Sequence, residues 1–362
     1  MKKTLEEIKQ LHPGRILQKC IEEENMSQHD LAVRTGMTEK HISTIINGSK
    51  NISASFAKKL EYALSLDASQ WMETQAIYDC ALAEFQDDNE MTIEEIGILK
   101  NLKEVVDYYC NINWMDEKAA DFEKVLRLRR LMGVSKLTAI PNITYDAAYR
   151  TQIKKNLNND PYVLYAWQRT CELMTGGLPI KKELDLDLLM ARIPDMRKQM
   201  FENINIISER LTEILSECGI AFKIVRNFVG APVQGFIKRT ENDKVIMCIT
   251  LRGKKADGFW FTFFHEIGHI LNGDLDRRFI DVKAEGTAIE KAADEFAKRC
   301  LLDENAYKEF ILQRDFSLSS IESFAKKQGV KSFVVIGRLH KDEYIDWNVY
   351  DEEIDRYEWA SA

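Results

Sequence analysis

The chain of 362 residues carries 50 Lys+Arg against 58 Asp+Glu, a formal net charge of −8, with 45% hydrophobic and 30% charged residues, 17 Gly and 6 Pro. That composition excludes a fibrous or disordered protein, leaves room for two or three domains, and excludes nucleic-acid binding by bulk positive charge. Apolar runs such as those at 245–250 and 259–264 fall far short of the roughly 18 to 20 residues of a membrane span, and no apolar leader opens the chain, so a cytoplasmic protein without membrane contact is expected.

Residues 1–80 show short helical periodicities broken by turn signals, without alternating β-branched residues, and predict a small all-α domain. Ser27-Gln28-His29-Asp30 has the form of a capping box for a helix running to Thr35, which Gly36 stops. Ala32 and Gly36, four apart, let two helices cross closely around a tight turn. Thr38 then caps a second helix, in which Ile42, Ile45 and Ile46 form an apolar stripe and Asn47-Gly48 the stop. This is the pattern of a helix-turn-helix. The opposite face of the second helix carries Glu39, Lys40, Ser43, Thr44 and Asn47. With Gln28, Thr38 and Lys50, these are the candidate contacts to the bases and phosphates of double-stranded operator DNA. Ten Lys+Arg against eleven Asp+Glu in residues 1–80 predict weak binding by a lone copy, so a homodimer on a palindromic operator is expected.

Residues 81–198 keep helical periodicity, interrupted by Pro141, Pro161, Gly176-Gly177-Leu178-Pro179 and Pro194, and read as a helical middle region. Its stretch 118–155 holds nine Lys+Arg, among them Arg127, Arg129 and Arg130, against three Asp+Glu, and offers further phosphate contacts. Residues 199–362 read as an α+β domain with a small sheet: a long amphipathic helix to Cys218, strands at 221–226, 233–239 and 244–251, then helices to the end. The strand at 244–251 offers its backbone to an extended peptide by strand addition. Residues 319–340 repeat, in Ala325 and Gly329, the spacing of Ala32 and Gly36; a packing element rather than a second DNA reader is expected there.

Seven cysteines, scattered and never arranged as Cys-x-x-Cys, argue against a disulfide framework and a thiolate metal site. Of six histidines, two stand four apart in His265-Glu266-Ile267-Gly268-His269. On a helix that spacing puts both imidazoles on one face, where they can bind one Zn²⁺, and Glu266 becomes the candidate general base of a metal-dependent peptidase. Apolar residues 260–264 exclude water from the preceding turn. A third ligand is sought among Asp274, Glu285, Glu290 and Asp294. Glu290 is preferred because it opens a strongly helical stretch able to pack on the motif helix, with Asp274 next. Asp294, one turn on, suits a hydrogen bond to the outer nitrogen of a ligand histidine.

On these residues, together with Trp71 and Gln75-Ala76-Ile77-Tyr78-Asp79, the N-terminal region resembles the Cro/cI-type (XRE), lambda-repressor-like helix-turn-helix of HigA-family antidote proteins. The C-terminal region, in residues 261–271 and 290–297, resembles the ImmA/IrrE metallo-endopeptidases, whose fold is zincin-like. Residues 126–134 and 334–339 also look typical of regulators joining the two modules. The resemblance implies His265, His269 and Glu290 as zinc ligands, Glu266 as catalytic base and Asp294 at a family Asn/Asp position. It further implies cleavage of a repressor or of the chain itself, repression of its own promoter, and a HigB-type toxin as partner. The alternative it leaves is an antitoxin-like autorepressor whose peptidase fold is inactive and serves to bind or sense. Ala292, where many relatives carry an acid, and Leu301-Leu302-Asp303, without the usual proline, depart from the pattern and bear on substrate contacts more than on metal binding.

Overall fold

The computed structural model describes residues 4–89, 93–143, 160–180, 182–240, 244–275, 279–280 and 288–358. They form two compact units, Met1–Ile93 and Glu94–Ala362. The stretch read as a middle region is thus shared: its first residues end the last helix of the first unit, and those from Glu94 onward belong to the second. Both units are mainly helical, and no described helix is long and apolar enough to cross a membrane.

The first unit contains α1 (Leu5–Gln10), α2 (Pro13–Glu23), α3 (Gln28–Thr35), α4 (Glu39–Ile46), α5 (Ala54–Leu64) and α6 (Ala68–Asn89). Local chemistry sets its turns. Ser27 and Asp30 exchange backbone-to-side-chain hydrogen bonds, each 3.1 Å, at the start of α3, and Gly36 ends that helix in the left-handed region at φ 65°. The Thr38 hydroxyl accepts the His41 N–H at 3.2 Å and so starts α4. Leu17, Leu31, Ile42, Ile45, Phe56, Leu60 and Trp71 close a small core, each worth about 1.5–3 kcal/mol of burial. The end of α4 rests on the start of α2, where a Cβ on Gly14 would lie 2.0 Å from the Ile45 carbonyl oxygen.

The second unit opens at Glu94 within α7 (Ile93–Asn101) and continues with α8 (Lys103–Asn111), α9 (Asp121–Met132) and α10 (Pro161–Gly176). Here Arg129, expected as a phosphate contact, is buried: its Nη2 and Nε donate to Glu95 at 2.6 and 3.1 Å, and the Leu137 N–H donates to the same carboxylate at 2.9 Å. A cation satisfied inside the protein cannot reach DNA, so that expectation is corrected; Arg127 and Arg130 remain exposed. Burial pushes the Glu95 carboxyl up, but the Arg129 and Leu137 donors outweigh it and hold it below its usual value. Glu95→Ala, which strands the guanidinium, is expected to cost about 3–5 kcal/mol in chemical denaturation. Because the folded pKa is depressed, the pair's contribution is fully present above the unfolded value of about 4.3 and is lost only as pH falls through the lower folded value.

The chain continues through α11 (Leu186–Ala191), α12 (Ile193–Lys198) and α13 (Ile204–Glu217). The predicted helix to Cys218 is broken near its start, where the Asn203 side chain accepts the Ile206 N–H and begins α13 afresh. A four-stranded sheet follows, of β1 (Ile220–Val225), β2 (Gly235–Arg239), β3 (Val245–Thr250) and β4 (Phe279–Ile280), in the order β1-β3-β2-β4. β3 runs parallel to β1 and antiparallel to β2, and β4 is antiparallel to β2. β3 is therefore paired on both edges and has none to offer a peptide, which corrects the strand-addition expectation for 244–251.

Phe222, Ile237, Met247 and Ile249 line the face that joins the main core, while Phe236 meets Trp167 of α10 edge-on at 6.0 Å on the other. The first face packs on α14 (Ala256–Leu271), with α15 (Ala288–Leu301), α16 (Glu304–Leu312), α17 (Leu318–Gln328) and α18 (Ser332–Lys341) completing the unit. Gly329 makes the α17–α18 turn at φ 66°, as Gly36 does in the first unit. Yet Phe333, Val334, Val335, Ile336 and Leu339 bury α18, so it packs inside the unit and presents no reading face.

Candidate metal centre and nucleic-acid interface

In α4 the apolar stripe of Ile42, Ile45 and Ile46 is buried against the core, which turns the polar residues outward. Thr38, Glu39, Lys40, Asn47 and Lys50 are exposed; Gln28, Ser43 and Thr44 are half-buried. Several are already engaged. The Thr44 hydroxyl donates to the His41 carbonyl at 2.8 Å, Asn47 Nδ2 lies 3.4 Å from Ser43 Oγ, and Glu39 lies 3.5 Å from His29 Nδ1. The sequence reading passed over His41, whose Nδ1 accepts from the Lys50 ammonium at 3.1 Å while its ring meets Phe56 edge-on. Burial, then the charges of Lys50 and Lys59, pushes the His41 pKa down and keeps the ring a neutral acceptor. Nothing in the sequence spacing marks that contact, because Lys50 reaches back from beyond the helix end.

The candidate metal centre begins with the burial of α14. Trp260, Phe263, Phe264 and Ile267 are buried in the core, Phe263 meets Phe222 of β1 edge-on at 5.7 Å, and Trp260 Nε1 donates to the Tyr357 hydroxyl at 2.9 Å. With its apolar side anchored, the helix holds His265 and His269 one turn apart, their Nε2 atoms 3.0 Å from each other. Gly268 lies between them, against α15: a Cβ there would stand 3.2 Å from both Ala293 Cα and Phe296 Cδ1. That close crossing brings Glu290 Oε2 to 3.3 Å from His265 Nε2 and 3.6 Å from His269 Nε2.

Among the described residues, His265, His269 and Glu290 form a group whose ligand atoms all lie within 4.8 Å of one another. Asp294 and Asp274 stand behind it instead. Asp294 Oδ1 is 2.9 Å from His265 Nδ1, and Asp274 Oδ2 is 3.1 Å from His269 Nδ1. Each imidazole thus has a carboxylate at its outer Nδ1, the arrangement that orients a ligand ring, while its Nε2 faces Glu290. Glu285 lies outside the described residues.

The group is dry: His265 is 4% exposed, Glu266 1%, His269 0% and Glu290 8%. Burial opposes ionisation of Glu290, yet the hydrogen bonds and charges of both histidines overcome it and hold its carboxyl down to about 2. Burial likewise opposes protonation of His269, but Glu290, Glu266 and Asp274 raise its pKa. Four carboxylates, of Glu266, Asp274, Glu290 and Asp294, around two imidazoles make a site whose charge suits a cation. Two imidazole nitrogens and one carboxylate oxygen fit a borderline ion such as Zn²⁺. His340 takes no part in this group; its Nε2 is hydrogen-bonded to the Val349 carbonyl at 2.8 Å.

A helix-turn-helix family model matches residues 17–71. This stretch is a helix-turn-helix DNA-binding domain. It contains all eight residues proposed to face DNA. Solved structures similar to part of the chain include an addiction module antidote protein of a HigA family from Coxiella burnetii, 27% identical over 22% of this chain and 94% of that one, with a TM-score of 0.20. Another is the Pseudomonas aeruginosa antitoxin HigA with the higBA promoter, 28% identical over 23% of this chain and 95% of that one, with a TM-score of 0.21. No curated protein matches the chain. The helix-turn-helix domain ends well before the candidate metal centre, for which the geometry alone speaks.

Within the helix-turn-helix domain, Lys40 is exposed at the start of α4 without an ion-pair partner among the described residues. Lys40→Ala is expected to weaken DNA binding evenly across sequences and to reduce the slope of log K against log[salt] by about 1, as read by fluorescence anisotropy over a salt series.

Proposed function

We propose that the protein is a DNA-binding transcriptional regulator whose second unit is a zinc-dependent endopeptidase acting on a repressor protein or on the chain itself. The observation that carries this reading is the meeting of His265, His269 and Glu290 within 4.8 Å, with Glu266 buried beside them and a carboxylate behind each imidazole. Zn²⁺ held by those three residues supplies a Lewis acid that makes a water nucleophilic near neutral pH and polarises a peptide carbonyl. Glu266 takes the proton from the attacking water and delivers it to the amide nitrogen as the C–N bond breaks, so no covalent acyl intermediate forms on the protein. Asp294 and Asp274 keep the imidazoles in the tautomer that binds the ion. The dry surroundings strengthen every charge interaction involved.

On the DNA side, α4 enters the major groove with Ser43, Thr44 and Asn47 outward, and Lys40 and Lys50 meet phosphates. The near balance of charge in residues 1–80 makes two copies on a palindrome the effective binding form. The reading is tested by metal content and DNA binding of the purified full chain. One zinc per chain by mass spectrometry, with retarded migration of its own promoter fragment, is expected; no zinc after reconstitution would overturn the peptidase half and leave the regulator.

A further inference from the structure

Gly235 is the first residue of β2 and is buried. Strands disfavour glycine, and Gly235 is not among the glycines with positive φ, so backbone freedom does not explain it. Space does. A Cβ built there would lie 1.8 Å from Glu266 Oε1, 2.4 Å from Glu266 Cδ and 2.7 Å from Glu266 Cγ, and these are its three nearest atoms.

The strand has no room to retreat. Gly235 is paired with Ile249 of β3, the Gln234 carbonyl accepts the Thr250 N–H at 2.9 Å, and the Val233 carbonyl accepts the Thr250 hydroxyl at 2.9 Å. Arg252 Nη1 ties down the Pro232 carbonyl at 2.7 Å. The helix is equally fixed, since Ile267 and Phe263 on either side of Glu266 are buried in the core. A methyl group between two fixed elements displaces the one flexible thing there, the end of the Glu266 side chain.

We infer that Gly235 is a positioning residue: its missing side chain is the slot in which the Glu266 carboxylate lies, and the slot sets where that carboxylate stands relative to His265, His269 and Glu290. The inference rests on the peptidase reading in taking Glu266 as the base. A larger residue at 235 leaves the ion's ligands in place and moves the base alone.

The test is a cycle in the full chain: Gly235→Ala, Glu266→Ala and the double variant, each followed by thermal unfolding, zinc content and the visible spectrum of the Co²⁺-substituted protein. Gly235→Ala is expected to lower Tm by about 5 °C when Glu266 is present and by much less when Glu266→Ala has removed the colliding atoms. Zinc stays at one per chain, while the Co²⁺ absorption of Gly235→Ala moves toward that of Glu266→Ala. Cleavage of a fluorogenic peptide library falls by about 100-fold or more. An equal loss of Tm in both backgrounds, or an unchanged Co²⁺ spectrum, overturns the inference. A wild-type chain that takes up neither metal overturns the peptidase reading instead, and the Tm cycle then still decides whether Gly235 and Glu266 share one space.

Discussion

Alanine in place of His265, His269 or Glu290 is expected to abolish stoichiometric zinc binding, whereas Asp294→Ala or Asp274→Ala weakens it by about 10–100-fold and leaves a filled site at high zinc. The ranking follows from where the atoms point. Glu290 Oε2 and both Nε2 atoms face one another, so removing any of them leaves two donors where a zinc site needs three. The two aspartates touch only the outer Nδ1 atoms, at 2.9 and 3.1 Å, and act through ring orientation and basicity. Chelator competition on the purified full chain, with metal counted by mass spectrometry, separates the two classes. If Asp274→Ala loses the metal while Glu290→Ala keeps it, the ligand set drawn here is wrong. The same experiment carries a stability readout: an ion bound at 1,000 times its Kd adds about 4 kcal/mol to the folded state, so the chelated wild type should melt lower and the alanine variants should not respond to chelator.

What the sequence reveals depends on how far its signals reach. The first unit was readable because its decisive contacts are local: Ser27 with Asp30, Gly36 at φ 65°, and Thr38 with His41 each act within a few residues. The histidine pair was readable for the same reason, one turn of one helix. Glu290 is a longer reach: its sequence clue is the helical stretch that it opens, and Gly268 is the residue that lets α15 approach. Asp274, second choice as a ligand from the sequence, meets the outer Nδ1 of His269 instead, because which imidazole nitrogen a carboxylate reaches is fixed by the fold and not by spacing. Strand order was also hidden, since the parallel pairing of β3 with β1 joins segments separated by β2, and no turn signal encodes it. Arg129 looked like surface charge until Glu95, 34 residues earlier, was found against it. The turn at Gly329 shows the opposite case. Its signals match those at Gly36, but α18 is apolar on most of its circumference while α4 is apolar on one stripe, and that difference marks a packing helix.

Glu266→Gln is expected to lower peptide cleavage by about 10²–10⁴-fold while zinc content and operator affinity stay at wild-type values. The amide matches the carboxylate in size, so it fits the same slot beside Gly235 and disturbs neither α14 nor the ligands. It cannot accept the proton that the attacking water must lose, and cleavage stops for that reason alone. Operator affinity should not move, because the helix-turn-helix domain at 17–71 is built in a separate compact unit with its own core. Three measurements on one protein preparation therefore answer different questions. Zinc content reports on His265, His269 and Glu290; anisotropy with promoter DNA reports on α4; and mass spectrometry of a repressor incubated with the chain reports on Glu266. Undiminished cleavage by Glu266→Gln would transfer the base to another group. Cleavage absent from a zinc-loaded wild type, with operator binding intact, would instead make the second unit a binding module, since the ion and its ligands would then be present without the proton transfer that Glu266 is placed to perform.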